Sequence, residues 1–214
     1  MALLFVEKLF FKRRNIYSCK INSEIESKQQ FDLIPGFKFC IAENWNQLEA
    51  ELTYSNLNKA FGIVKTSEVR HRLKNNDFVF FYLLDKETKK TAASYWAFCP
   101  SESKKWFDTF LVKKGDALLC NAYVEKQYRR KGFYSYLIRS SHQWLFEKKN
   151  VQRVFTIVEQ SNRASDSVNR KYYEEVTFTN HLYKLFSFNL FSVLKNQYSK
   201  KIFFVPFGLK LYEK

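Results

Sequence analysis

The chain has 214 residues, with 36 Lys and Arg against 21 Asp and Glu, giving a formal net charge of +15 at pH 7. Hydrophobic residues make up 46% and aromatic residues 19% of the sequence, which excludes an intrinsically disordered chain, and only 5 Gly and 3 Pro exclude a collagen-like or linker-like one. The charge is typical either of a solvated surface or of a protein with an anionic partner: a nucleic acid, an acidic membrane surface or a phosphorylated small molecule such as a nucleotide-sugar.

The predicted elements start with residues 1–14, whose apolar and basic side chains fit either an amphipathic helix or an edge strand. A basic amphipathic segment can also bind an anionic membrane surface, so the sequence leaves a peripheral membrane protein open. Residues 15–35 are polar, and we expect them to be irregular. The sequence thus predicts an N-terminal extension, 1–36, that packs on or beside a single domain, 37–214.

The rest of the chain alternates between strand-like and helix-like patterns. Strands are predicted where apolar residues alternate or run continuously, at 37–43, 78–84, 91–98, 117–124, 153–158, 178–188 and 201–206. Helices are predicted after Asn44, over 66–75, after Gly132 and after Asn162, with a loop or helix between the last two strands. This order of elements predicts one α/β (α+β) domain.

Cysteine and histidine spacing predicts no metal site. The four cysteines include no Cys-x-x-Cys pair, and the three histidines share no ligand spacing with them. We expect thiols that are buried in a reducing compartment. No segment approaches the ~18 apolar residues of a membrane span, and the apolar run at the N-terminus precedes its basic cluster, the reverse of a secretory signal. The expected location is therefore the cytoplasm.

The most informative segment is VEKQYRRKGFYSYLI, residues 124–138. A strand ends there, a basic turn passes through the lone Gly132, and a helix begins at once. Free N–H groups at the start of a helix carry partial positive charge and bind anions. The segment lacks the glycines of a Walker A loop and of a dinucleotide fingerprint. From these residues alone, it is either a phosphate-binding turn or a solvated basic turn.

This segment resembles motif A of the GCN5-related N-acetyltransferases (GNAT), whose signature is Gln/Arg-x-x-Gly-x-Gly/Ala between a strand and a helix. Arg129, Gly132 and Tyr134 occupy the three signature positions, although Tyr134 replaces the usual small residue. The resemblance continues through strand 153–158 to Asn162.

The end of the motif region is also similar to that family. Tyr173 stands five residues before Phe178, as in the common Tyr-x-x-x-Gly-Phe ending, with Thr177 in place of the glycine. The preceding helix is about one turn longer than usual for the family. The resemblance implies a GNAT-like central mixed, mostly antiparallel twisted sheet of about seven strands, flanked by about four helices. It also implies a V-shaped splay between the family's fourth and fifth strands, here 117–124 and 153–158.

The resemblance implies acetyl-CoA, or a related acyl-CoA, as co-substrate, and the cysteine and histidine spacing adds no metal to it. Its pantetheine arm would pair with the backbone of Ala122, Tyr123 and Val124, and its thioester would lie between the fourth and fifth strands. Asn162 is interpreted either as a helix cap or as a further cofactor contact. The pyrophosphate would bind the turn formed by Arg129, Arg130, Lys131, Gly132, Phe133 and Tyr134.

Catalytic roles follow from the chemistry of the reaction that the resemblance implies. Transfer to an amine needs a base to take its proton and an acid to protonate the departing thiolate. The resemblance makes Tyr173 the candidate acid, because the family commonly has a tyrosine at this position; the alternatives are that Tyr172 is the acid or that Tyr173 is a packed helix residue. Glu125 is the candidate base, or an exposed glutamate at a strand end. Asn121 and Tyr123 alternate onto one face of the same predicted strand and are expected to line the substrate side.

Direct transfer in this family means that Cys120 need not be a nucleophile, and His142 is expected on the motif A helix rather than in the cleft. The main hypothesis is an acetyl-CoA-dependent N-acetyltransferase acting on an amino sugar or another small amine. A protein amine or an aminoacyl-tRNA is a further acceptor in the same fold. The alternatives are a nucleic-acid-binding module, or a CoA-binding or peripheral membrane protein that docks through its N-terminus and residues 182–195.

Overall fold

A computed structural model describes residues 11–20, 34–52, 66–107, 110–173, 175–185, 188–196 and 202–206. They form two compact units that alternate along the chain. The first unit draws on Met1–Lys20, Ser103–Lys113 and Phe155–Lys214, and the second on Ile21–Glu102 and Lys114–Val154.

The strands are β1 (Phe11–Lys20), β2 (Phe37–Ala42), β3 (Phe78–Asp85), β4 (Thr91–Phe98), β5 (Lys104–Phe107), β6 (Phe110–Val112), β7 (Asp116–Val124), β8 (Arg153–Glu159), β9 (Glu175–Leu185), β10 (Phe188–Asn196) and β11 (Ile202–Pro206). The α-helices of the described residues are α1 (Trp45–Glu51), α2 (Thr66–Lys74), α3 (Phe133–Lys149) and α4 (Arg163–Tyr172). This is the mixed α/β class that the sequence predicts.

In the second unit the strands lie in the order β7-β4-β3-β2, and each neighbouring pair is antiparallel. Every residue of β4 is buried, because helices cover both faces of this sheet. Leu48 of α1 and Val69 of α2 pack with Trp96 on one face. On the other face α3 supplies Trp144, whose ring packs edge-on against Phe81 at 5.5 Å.

In the first unit the strands lie in the order β11-β10-β9-β1-β8. The pairs β1–β9, β9–β10 and β10–β11 are antiparallel, and β5 and β6 form a separate antiparallel pair. Helix α4 is tied to β1 by a hydrogen bond from the Tyr17 hydroxyl to the Asp166 carboxylate.

The prediction that residues 15–35 are irregular was wrong for 15–20, which belong to β1. Ile16 and Tyr17 are consecutive and both buried, and the register irregularity beside them leaves Thr177 of β9 as the extra residue. Burial of successive residues removes the strict alternation by which a strand is recognised in a sequence. Residues 11–14 are strand rather than helix, and the rest of segment 1–14 lies outside the described residues.

A second correction concerns the expected loop or helix between the last two strands, where β10 lies instead. The β5–β6 hairpin was also missed. The other predicted strands and helices are confirmed, most of them to within about two residues. The division of the chain at residue 36 stays a prediction.

Candidate active site

The turn after β7 has a defined backbone path from strand to helix. The Glu125 N–H donates to the Ala92 carbonyl at 2.9 Å, and a single 3-10 turn follows over Lys126–Tyr128. Arg130 and Gly132 then have left-handed backbones, with φ of 63° and 81°, and α3 begins at Phe133. Two left-handed residues within three positions turn the chain sharply, as the lone glycine indicated.

The backbone conformation at position 132 requires a glycine. A φ of +81° is strained for any residue with a side chain, so glycine is the residue suited to this position. A Cβ built on Gly132 would meet no atom within 4 Å. The glycine is therefore required by the backbone and not by a lack of room for a side chain.

The N-terminus of α3 has the features of an anion site. Its N-cap residue, Gly132, has no side chain to cap it, no acidic residue lies in its first turn, and the first bond of the helix runs from the Tyr136 N–H to the Gly132 carbonyl at 2.9 Å. The earlier N–H groups of such a helix have no intrahelical acceptor and carry the positive end of the helix dipole. Arg130 and Lys131 are exposed beside them and add positive charge.

Aromatic packing anchors the turn to the sheet. The Phe133 ring is buried edge-on against Phe37 at 4.7 Å and lies 5.2 Å from the Tyr128 ring. The Tyr128 hydroxyl donates to the Asp85 carboxylate at 2.9 Å. Hydrogen bonds from the Thr88 backbone and from Tyr128 lower the pKa of Asp85, so this carboxylate is a charged acceptor. The turn is consequently held on both sides of its left-handed residues.

Two signature residues have contacts that the sequence could not predict. Arg129 is exposed, and its Nε donates to the Val124 carbonyl at 3.0 Å, which closes the turn onto the end of β7. Tyr134 is half-buried with its ring packed edge-on against Tyr95 at 5.8 Å. The side chain at the usually small position is thus accommodated against the sheet.

A bulge interrupts β7 just before the turn. Cys120 pairs with Trp96 and Tyr123 with Ser94, so that Asn121 and Ala122 together oppose a single residue of β4. Asn121 has a left-handed backbone with φ of 52°. Because the alternation breaks here, the argument that placed Asn121 and Tyr123 on one face of a regular strand does not apply.

The Asn121 side chain is held by helix α2, since its Oδ1 accepts a hydrogen bond from Arg72 at 2.9 Å. The Tyr123 hydroxyl donates to Glu125; burial, the negative charge of Glu125 and this bond raise the pKa of Tyr123. Glu125 is half-buried, and its carboxylate thus has a polar partner at the end of the strand.

The remaining predicted residues lie at the two ends of α4, in the first unit. Asn162 is exposed, and its Oδ1 accepts the Ser165 N–H at 3.2 Å, which confirms the helix-cap interpretation. Tyr173 ends the helix, its N–H donating to the Asn169 carbonyl at 3.0 Å. Its side chain is buried, and its ring lies 6.2 Å from that of Tyr17. Tyr172 beside it is half-buried.

Sequence reasoning missed a polar cluster around α4. Asp166 accepts hydrogen bonds from Tyr17, from Asn15 at 3.0 Å and from Arg170 at 2.8 Å. Burial and the bond to Asp166 raise the pKa of Tyr17 to about 12. No local motif could reveal this cluster, because Asn15 and Asp166 are 151 residues apart in the chain.

Cys120 and His142 have no features of reactive groups. Burial raises the pKa of the Cys120 thiol to about 12, so it is protonated at neutral pH and is a poor nucleophile. His142 lies buried on α3, as expected, and burial lowers its pKa to about 3. Within the described ranges, no three His, Cys, Asp or Glu side chains are grouped to hold a metal ion.

The predicted residues thus fall into two groups. Those from Asn121 to Tyr134 lie together along the end of β7, the turn and the start of α3, in the second unit. Asn162 and Tyr173 lie at opposite ends of α4, in the first unit.

Residues 43–178 match the model of the acetyltransferase (GNAT) family, and the chain belongs to this family. A GCN5-related N-acetyltransferase from Kribbella flavida has a similar structure, with a TM-score of 0.54 at 13% identity, over 86% of this chain and 63% of that one. This similarity confirms the predicted fold class. An aminoglycoside acetyltransferase from an uncultured soil metagenomic sample, crystallised with trehalose, gives a TM-score of 0.47 at 18% identity, over 67% of this chain and 93% of that one.

No curated protein sequence matches the chain. The family match favours neither the nucleic-acid-binding nor the peripheral-membrane alternative, and it does not support the anionic partner that the net charge suggested. Among the described helices, none is long and apolar enough to cross a membrane.

Proposed function

We propose that this protein transfers an acetyl group directly from acetyl-CoA to an amine, with an amino sugar or another small amine as acceptor. One observation carries the proposal: β7 leads through the left-handed Gly132, which has no capping side chain and open space at its Cβ position, into the N-terminus of α3. Backbone N–H groups and basic side chains there suit a pyrophosphate. Transfer between a CoA thioester and an amine is the chemistry that family membership implies.

In this proposal the backbone of residues 129–134 binds the pyrophosphate. Arg130 and Lys131 are exposed and free to add charge, whereas one donor of Arg129 is used to close the turn. The pantetheine arm extends along Ala122–Val124, after the bulge. Asn162 caps α4 with its side-chain oxygen, which leaves its amide group as the donor for a cofactor contact.

The chemical step requires two proton transfers. The amine nitrogen attacks the thioester carbonyl carbon, the C–S bond breaks, and the thiolate leaves. Glu125 takes the proton from the amine, directly or through a water molecule, and the Tyr173 hydroxyl donates a proton to the thiolate. The protonated thiol of Cys120 supports direct transfer, because a covalent acetyl-enzyme would need a thiolate.

Calorimetric titration with acetyl-CoA tests the proposal, with CoA and ATP as comparison ligands. We expect acetyl-CoA and CoA to bind with micromolar dissociation constants and ATP to bind much more weakly. Absence of binding at millimolar acetyl-CoA would show that the segment is only a basic turn.

The acceptor is then sought with a coupled assay that measures the free thiol of released CoA. Amino sugars are compared with matched sugars that carry a hydroxyl in place of the amine. Thiol release that depends on the amine supports N-acetyl transfer to this class. Release with other amines only would retain the reaction and reject the amino sugar.

A further inference from the structure

One buried arginine connects helix α2 to the bulge in β7. Arg72 is 8% exposed; its Nη1 donates to Asn121 Oδ1 at 2.9 Å and its Nη2 to Glu68 Oε1 at 2.5 Å. Glu68 stands one helical turn before Arg72, so the ion pair fixes the guanidinium on its own helix. A second nitrogen of the guanidinium donates to the strand through Asn121.

The surroundings of Arg72 restrict it further. Its guanidinium carbon lies 5.2 Å from the centre of the Trp96 ring and 5.4 Å from that of Phe78. A cation held over aromatic rings in a desolvated position gains electrostatic attraction and cannot reorient easily. Arg72 also hydrogen-bonds the side chain of Cys120, the residue before Asn121. Its contacts therefore cover two consecutive residues of β7.

Asn121 lies in the bulge of β7, and Cys120 is the last paired residue before it. A bulge leaves one residue unpaired and disrupts the ladder locally, and Asn121 also has a left-handed φ of 52°. Asn tolerates this conformation better than most residues, but other conformations remain open to it. A side chain reaching from another element is a direct way to select one of them.

We propose that Arg72 is a positioning residue that holds the β7 bulge, and through it the backbone of Ala122–Val124, in the geometry that binds the pantetheine arm of acetyl-CoA. The inference rests on the proposed function, since the ligand is the acetyl donor. Arg72 acts through Asn121 and takes no part in the chemical step.

The test separates the two parts of the ligand. CoA engages both the pyrophosphate turn and the bulge, whereas 3′-phosphoadenosine 5′-diphosphate, which is CoA without its pantetheine arm, engages only the turn. Calorimetry with Arg72→Met should show CoA binding weakened about tenfold or more, because the backbone of Ala122–Val124 would no longer be held where it contacts the pantetheine arm. Binding of the fragment should be unchanged. Equal weakening of both ligands would mean a general structural role, and no weakening would also reject the proposal.

Arg70→Met is the matched control. Arg70 lies on the same helix, is exposed, and has its guanidinium over the Trp45 ring at 4.7 Å. The substitution removes the same charge and a similar ring contact without touching the bulge. We expect both ligands to bind this variant as they bind the wild type. Weakening equal to that of Arg72→Met would assign the effect to charge on α2.

A pair of variants at the strand covers the case in which Arg72→Met does not fold. Asn121→Asp keeps an oxygen acceptor for Arg72 and tolerates the left-handed backbone, whereas Asn121→Ala loses the acceptor. The aspartate variant should bind CoA like the wild type, and the alanine variant should lose CoA affinity while retaining the fragment. Equal CoA affinity in the two variants would overturn the inference.

Titration of the wild type distinguishes failure of the proposed function from failure of the positioning role of Arg72. If the wild type binds neither ligand, the proposed function fails and the positioning role fails with it. If the wild type binds CoA and Arg72→Met binds it as tightly, the positioning role alone is rejected.

Discussion

Gly132 has a backbone conformation that β-branched residues strongly disfavour, at the point where we place the pyrophosphate. With φ at +81° and open space around its Cα, Gly132→Val would change the turn through the backbone rather than by a steric clash inside the fold. We expect the variant to remain folded and to lose detectable CoA binding in calorimetry. Both the displaced N–H groups and the branched side chain would weaken binding of the pyrophosphate.

Gly115→Val is the control for this substitution. Gly115 also has a positive φ, of 85°, lies in the same unit, and would place its Cβ no closer than 3.9 Å to Gln152. The backbone strain is therefore comparable, but the position is the turn before β7. Unchanged CoA affinity in Gly132→Val, or equal losses in both variants, would reject the pyrophosphate assignment.

Tyr173 can be tested by removing a single oxygen atom. Its N–H, which caps α4, and its ring, 6.2 Å from Tyr17, are both retained in Tyr173→Phe. If the hydroxyl protonates the thiolate, turnover should fall by ~10²-fold or more with little change in acetyl-CoA affinity. Steady-state kinetics and calorimetry measure the two quantities separately.

Tyr172→Phe is the matched variant, because Tyr172 precedes Tyr173 and is half-buried. It should retain wild-type turnover. A large loss in this variant, with wild-type rates in Tyr173→Phe, would transfer the acid to Tyr172 and leave Tyr173 as a packing residue.

At the scale of the elements, Asn162 has two proposed roles that can be measured separately: it caps α4, and it contacts the cofactor. Asn162→Ala removes the acceptor for the Ser165 N–H and should lower the free energy of unfolding by about 1 kcal/mol in chemical denaturation. Asn44 caps α1 through the same bond, from the Gln47 N–H at 3.0 Å, so Asn44→Ala should cost a similar amount. A loss of acetyl-CoA affinity in Asn162→Ala but not in Asn44→Ala would indicate the cofactor contact. Equal affinities would reject that contact and leave Asn162 as a cap alone.

Elements with a local cause were predictable from the sequence. Asn44, Gly132 and Asn162 act on residues within a few positions, so cap and turn chemistry indicated where α1, α3 and α4 begin. Strand β1 was not predictable, because Ile16 and Tyr17 are buried in succession, which breaks the alternation of a half-buried strand. Its pairing with β9 joins residues far apart in the chain.

The same distinction applies to the candidate site. The turn from Val124 to Gly132 is a local motif and was found. The contact between Arg72 and Asn121 joins residues 49 positions apart and depends on a bulge, for which the sequence gives no periodic signal. The available signal was a polar residue inside an apolar strand, which indicated Asn121 but gave no information about its partner, Arg72.

At the scale of the whole molecule, stability at acid pH depends on which groups change charge between the folded and unfolded chain. Hydrogen bonds led by the Thr88 backbone lower the pKa of Asp85. Burial raises the pKa of Asp166, but bonds from Tyr17, Arg170 and Asn15 outweigh it and lower the value overall. Because both folded-state values lie below 3.8, the stability these carboxylates supply is lost only as pH falls below about 4.

His142 acts at higher pH and in the same direction. Burial lowers its pKa from 6.5 to about 3, so between these pH values the unfolded chain binds a proton at His142 and the folded chain does not. The stability is present above pH 6.5 and declines by about 1.4 kcal/mol per pH unit as pH falls towards 3, or about 2 kcal/mol between pH 7 and 5. Chemical denaturation across this range should show that slope in the wild type and a markedly smaller one in His142→Leu. The comparison uses slopes, because the leucine also changes packing equally at every pH. Identical slopes would mean that His142 gains access to water and titrates in the folded protein.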